Sequence, residues 1–197
     1  VVKAFGYGSD SVAVAKCLAT CGVDYFGVAY VQEGVALRNA GITQPILVMH
    51  PQQPNLKTLI AHKLEPAIYS QRILEAFITT LKTTETTDYP IHLKFNTGLN
   101  RLGFKPNQVK HLLDLLNLNK NLLRLKGVYS HLAASDDLNE DSFTRSQLHH
   151  FEAIVRAIKP THLDTIFHVL NTSGVVHYAD SQYDMVRTGI SPYDYSN

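Results

Sequence analysis

Short apolar runs alternate along this chain with stretches whose apolar residues recur every three or four positions. The runs are VVKAF (1–5), YFGVAY (25–30), PILVMH (45–50), PAIYS (66–70), IHLKFN (91–96), LKGVYSHL (125–132), FHVLN (167–171) and MVRTGI (185–190). They are short, β-branched or aromatic, and apolar on both faces, the pattern of strands buried in a parallel sheet. Between them Val109, Leu112, Leu113 and Leu116 recur at helix spacing, as do Leu148, Phe151, Val155 and Ile158. Pro45, Pro66, Pro90 and Pro160 punctuate connections near helix ends. TTLKTTETTD (79–88) reads as a polar, mobile connector. Eight strands with helical segments between them predict an α/β fold, a (β/α)8 TIM barrel incomplete at both ends. An open doubly wound sheet is the alternative.

Composition narrows the picture. The 197 residues suffice for one sizeable domain, and nothing divides them: no composition break, repeat or low-complexity tract. Hydrophobic residues make up 45% and charged residues 18%, as in a globular protein. A formal net charge of +1 gives no field to draw nucleic acid or an anionic membrane. No apolar run approaches the roughly 20 residues needed to cross a bilayer. The chain opens on Val1 without Met and without a visible signal peptide, so we read it as a piece of a longer protein whose missing upstream part had room for a targeting segment; its two cysteines, read as reduced thiols, fit the cytoplasm. Cys17 and Cys21, four apart beside Val14 and Leu18, are expected to be core thiols.

Barrel chemistry sits at the carboxyl ends of the strands. There the first run carries Lys3, followed by Tyr7 between two glycines. The fifth carries Lys94 and leads into NTGLNRLGF with Arg101. The sixth ends in Ser130 and His131, the seventh in Asn171, Thr172 and Ser173, and the eighth carries Arg187 before Gly189. Apolar strands reject unpaired charge, so cations converging on one end form a pattern. Such a face suits an anion, and phosphate favours Arg forks and backbone N–H groups. A buried lysine among cations loses proton affinity and can attack a carbonyl as a free amine. Phosphate site, nucleophilic lysine and aromatic loop together point to pyridoxal 5'-phosphate (PLP).

These segments resemble a known family. VVKAFGYGSD resembles the cofactor-lysine motif of alanine racemases, V-K-A-N-A-Y-G-H-G, and KFNTGLNRLGF resembles their K-x-D-T-G-M-x-R-L-G-F segment. YSHLAASDD, NTSGVV and MVRTGISPY resemble three further segments, in family order and with family-like gaps across essentially the whole chain. The resemblance implies that residues 1–197 are the PLP-binding barrel domain of a racemase interconverting L- and D-alanine for peptidoglycan synthesis. Lys3 would hold PLP as an imine and act as one base. Tyr7, Asn171, Thr172 and the amides of Gly189 and Ile190 would bind the cofactor around its phosphate. Arg101 would orient the cofactor phenolate and the substrate carboxylate, and Lys94 is the position carbamylated in some members. His131 would lie against the cofactor and contact Arg187. Arg187 would face the pyridine nitrogen and, keeping its own proton, leave that nitrogen unprotonated. Phe5, Gly6, Ser9, Asp10, Asn96 and Leu99 depart from the family pattern, and Asn96 puts the hydrogen bonding beside Arg101 in doubt. The family's second, β-rich domain supplies the opposite base, a tyrosine, across a homodimer interface. Tyr193 and Tyr195 lie too close to the eighth strand for that role, so the chain alone is expected to have little racemase activity.

Other readings differ in chemistry. A single-domain PLP-binding protein that buffers the cofactor without turnover fits the same barrel. A related decarboxylase or aldolase would place an acid at the pyridine nitrogen or need a metal site. No H-E-x-x-H is present, SDD (135–137) reads as a helix start, and His149 and His150 are expected to face solvent. There is no G-x-S-x-G elbow and no P-loop.

Overall fold

The apolar runs build a curled sheet of six parallel strands in sequence order: β1 (Phe26–Val28), β2 (Ile46–Val48), β3 (Glu65–Ile68), β4 (Tyr89–Lys94), β5 (Leu123–Tyr129) and β6 (Ile166–His168). The structure, a computed structural model, describes residues 1–189. Helices lie between the strands: α2 (Ser11–Thr20), α3 (Val31–Asn39), α4 (Leu56–Ala61), α5 (Gln71–Thr83), α6 (Val109–Leu118) and α7 (Asp141–Ile158), with the short α8 (Thr172–His177) after β6. Parallel neighbours joined through helices in this order form an incomplete TIM barrel.

Two of the eight expected strands are not strands of this sheet. The first run is extended only at its start, where Val2 N–H donates to Gly27 O at 2.9 Å. From Ala4 the backbone turns into a left-handed coil, α1 (Lys3–Tyr7), with φ of +52° at Ala4, +53° at Phe5 and +61° at Gly6. At the other end Asp184 N–H donates to Phe167 O and Arg187 N–H to Leu170 O, both at 3.0 Å, laying an extended segment beside β6. The Val1 amino group donates to Thr188 O at 2.7 Å, so the two flanking segments meet. The last expected run reaches Ile190, outside the described residues.

The core is double. Outside the sheet, Leu148, Phe151, Ile154, Val155 and Ile158 of α7 and Ile73, Leu74, Phe77 and Leu81 of α5 bury the stripes that helical spacing sets up. Inside the curl a separate cluster joins Leu47, Ala67 and Tyr129. Several expectations change. The polar stretch beginning at Thr79 stays helical to Thr83, because the apolar stripe continues to the buried Leu81; the threonine hydroxyls are satisfied by donating back to carbonyls, Thr79 to Glu75 and Thr80 to Ala76. Pro66 and Pro90 lie within strands rather than near helix ends, each at a second strand position. Cys17 and Cys21 are exposed, because α2 buries Ala15 instead.

Candidate active site

The carboxyl ends of β4, β5 and β6 and the two flanking segments bring the polar residues together. Lys94 closes β4 with only 6% of its surface exposed. Burial first, then the charges of Arg101, Arg187 and Lys3, lowers its pKa to about 8. His131 feels the same field: burial, then Arg187, Lys94, Arg101 and Lys3, takes it down to about 3. An imidazole so placed stays neutral at pH 7. Lys3, Lys94, Arg101, Arg187 and His131 therefore share one electrostatic site, rich in positive charge.

Arg187 is its most heavily bonded member. One nitrogen donates to His168 O at 3.1 Å and lies 2.7 Å from His168 Nδ1. The other donates to Ser130 O at 2.6 Å and Val169 O at 3.3 Å and lies 3.3 Å from His131 Nδ1. No carboxylate is among these partners. Burial lowers even this guanidinium to about 10. Its centre stands 4.9 Å from the Tyr129 ring centroid, and Lys94 Nζ stands 5.9 Å from the same ring.

A second focus lies where the flanking segments meet. Gly189 N–H donates to Thr172 Oγ1 at 3.0 Å. A Cβ at Gly189 would collide with the Tyr7 hydroxyl, so a tyrosine O–H, a threonine O–H and a bare glycine converge. Lys3 Nζ stands 5.8 Å from the Tyr7 ring centroid. Asn171 is engaged in local structure: its Oδ1 caps α8 at Gly174 N–H and accepts from Ser135 Oγ at 2.7 Å. Ile190, Tyr193 and Tyr195 lie outside the described residues.

The loop after β4 is pinched at its base, with Asn96 N–H donating to Phe104 O and Phe104 N–H to Lys94 O. Gly103, at φ +129°, permits this approach, since a Cβ there would strike the Asn96 and Phe95 backbone. Asn96 Oδ1 accepts from the N–H groups of Gly98 and Asn100, and its amide donates to Asn100 Oδ1. Asparagine thus takes the two acceptor bonds open to an aspartate and adds a donor. Arg101 rides this loop with its side chain exposed. Asp137 caps the turn that leads into α7, and His149 and His150 are exposed.

Sequence reasoning passed over two residues here. Glu33 accepts from Ala4 N–H at 2.7 Å, Ala29 N–H at 2.6 Å and Tyr30 N–H at 3.0 Å, tying α1 to the start of α3. His168, fully buried, stacks on Tyr129 with centroids 4.9 Å apart. Its signal was a histidine inside an apolar run. Among the described residues no cluster of His, Cys, Asp and Glu is set to hold a metal ion, and no helix is long and apolar enough to cross a membrane.

The family model described as "Alanine racemase, N-terminal domain" matches residues 1–197. An alanine racemase of Treponema denticola is 34% identical over 99% of this chain and 52% of its own length. One from Prochlorococcus marinus is 35% identical over 100% of this chain and 52% of its own. The solved alanine racemase of Clostridium difficile 630 superposes with a TM-score of 0.92 at 29% identity, over 99% of this chain and 51% of that one. The chain spans about half the length of the curated relatives it matches.

Proposed function

Because this chain belongs to the alanine racemase family, matched through its N-terminal domain, we propose that residues 1–197 are a barrel domain that holds pyridoxal 5'-phosphate and serves the interconversion of L- and D-alanine. The observation that carries the reading is the meeting of Tyr7, Thr172 and Gly189 beside a group of cations whose Arg187 has, among the described residues, no carboxylate hydrogen-bonded to it. That donor set fits a phosphorylated aromatic aldehyde, with hydroxyls and an amide for phosphate and a lysine for the aldehyde. When bound, PLP supplies an electron sink that acidifies the substrate's α C–H bond.

The residues then take these roles. Lys3 holds the cofactor through Nζ and moves the α-proton on one face. Tyr7, Thr172 and the amides of Gly189 and Ile190 hold phosphate, with Asn171 shaping the turn that presents Thr172. Arg187 would face the cofactor's pyridine nitrogen and keep its own proton. His131, neutral at working pH, accepts from Arg187 and would lie against the cofactor. Arg101 reaches in from its loop to orient a small amino acid by its carboxylate. Lys94, with its ammonium weakened by burial, is suited to carbamylation: the free amine adds CO2 and releases a proton, leaving an anion to steady Arg101.

The full catalytic unit on this reading is a cytoplasmic homodimer whose D-alanine product serves peptidoglycan, and the opposite base comes from outside this chain. Residues 1–197 assayed alone should therefore bind PLP but racemise weakly. Borohydride reduction of the chain with PLP, followed by peptide mapping, tests the core of the reading. The label is expected on Lys3 and absent in Lys3→Ala. A label elsewhere, or none, refutes it.

A further inference from the structure

Below Arg187 the barrel interior carries polar side chains that the roles above leave unused. Glu65, His92 and His168 are each more than nine-tenths buried. They lie on β3, β4 and β6 and face the inside of the curl with Tyr129 and Tyr25.

The protonation of this group follows from its ends. A guanidinium only donates, so His168 Nδ1, 2.7 Å from Arg187, is an acceptor. A neutral imidazole accepting there carries its proton on Nε2. At the far end His92 Nε2 lies 2.8 Å from Glu65 Oε2, which also accepts from the Tyr25 hydroxyl. A carboxylate only accepts, so His92 Nε2 donates and its Nδ1 is bare. A second proton on His92 would set two N–H donors against each other in a dry interior, at the cost of a buried charge. Two ring nitrogens are left over, His168 Nε2 and His92 Nδ1. Both are buried, and both lack a partner among the described residues. One is a donor and the other an acceptor. Their rings stand 5.7 Å apart, centroid to centroid, edge to face at 75°.

We propose that Glu65 and His92 are positioning residues for Arg187, the last members of a one-directional chain that runs Arg187 to His168 to His92 to Glu65. Each donates to the next, and the central link, which is not a direct bond in this structure, is made through one water. The chain joins a guanidinium to a carboxylate across the barrel through two neutral imidazoles. Opposite charges at its ends polarise every bond in the same sense, which strengthens each. The surroundings hold it in place. A Cβ at Gly127 would collide with His92 Nδ1, so β5 leaves room for the His92 ring where a side chain would stand. The Tyr129 ring lies flat on His168, at 6°, and fixes its plane. His168 is thereby kept as an acceptor, and Arg187 is kept aimed at the mouth of the barrel. The consequence for the cofactor rests on Arg187 facing its pyridine nitrogen, as proposed above.

The test begins without cofactor. In the chain labelled with 15N-histidine, NMR reads which nitrogen of each ring carries the proton, with His92→Phe and His168→Phe giving the assignments. Both rings are expected to be neutral and protonated on Nε2 alone. A proton on Nδ1 of either ring overturns the proposal. In Glu65→Leu, His92 should sample both tautomers and the His168 resonances should shift, although Glu65 does not touch His168. Unchanged His168 signals in a folded variant overturn the proposal too. With PLP added, Glu65→Leu should still be trapped on Lys3 but with a displaced cofactor absorption band, and an identical band rules out the positioning role. If even the unaltered chain is not trapped, the PLP reading fails while the tautomers still judge the chain of bonds.

Discussion

A methyl group at position 189 would occupy the place of the Tyr7 hydroxyl. Gly189→Ala should therefore push Tyr7 and Thr172 apart and weaken PLP binding by about tenfold or more, roughly the loss of one good charge-assisted hydrogen bond. A fluorescence titration with PLP would measure it, and unchanged affinity would remove Tyr7 from the phosphate site. At this scale the sequence was informative wherever a charge interrupted an apolar run, which is why Lys3, Lys94 and Arg187 stood out. His168 and His92 were less legible, since a neutral imidazole in a strand looks the same whether it bonds a carbonyl or a guanidinium. Glu33 was invisible for another reason. Its bonds to Ala29 and Tyr30 are the local reach-back of a glutamate at the third position of a helix, but its bond to Ala4 joins segments whose meeting no local pattern predicts.

The elements divide by how local their causes are. The stripes of α6 and α7 could be read directly, because apolar spacing alone decides which face of a helix is buried. α1 could not. Ala4, Phe5 and Tyr7 all have positive φ, each at a cost of roughly 1–2 kcal/mol for a residue with a Cβ, and the aromatic Phe5 and Tyr7 by propensity argue for a strand instead. Something must hold the coil, and Glu33 is placed to do so through Ala4 N–H at 2.7 Å. Glu33→Ala leaves that N–H and those of Ala29 and Tyr30 without their acceptor. It should cost about 2–3 kcal/mol, the range for a charged hydrogen bond lost from a partly buried site, and should free the backbone after Lys3. Urea unfolding would give the first number, and faster amide exchange at Ala4 in the folded protein would give the second effect. A loss below about 0.5 kcal/mol with Ala4 still protected would mean that packing, not this carboxylate, sets the left-handed coil.

Across the whole molecule, the barrel concentrates positive charge at its mouth and sets the buried Glu65 among its interior side chains. The count of apolar runs predicted that architecture, but the placement of charge inside it depended on strand register. That placement makes stability depend on pH at two windows. His131 is lowered from 6.5 to about 3, and burial lowers His168 in the same direction. As pH falls through 6.5 the unfolded chain takes up protons that the folded chain refuses, so stability is lost on acidification across that window. Lys94 is lowered from 10.5 to about 8. Between those values the unfolded chain keeps a proton that the folded chain has released, so Lys94 adds stability as pH rises from 8. Urea midpoints should therefore be lower at pH 5 than at pH 7 and should climb again between pH 8 and 9.5. Lys94→Met should abolish the upper climb and leave the acid slope, while His131→Gln should make the acid slope shallower and leave the climb. PLP should narrow both windows, because its phosphate offsets the repulsion from neighbouring cations, which adds to burial in lowering these groups. A profile with the upper climb intact in Lys94→Met would show that this lysine is not the buried cation its position implies.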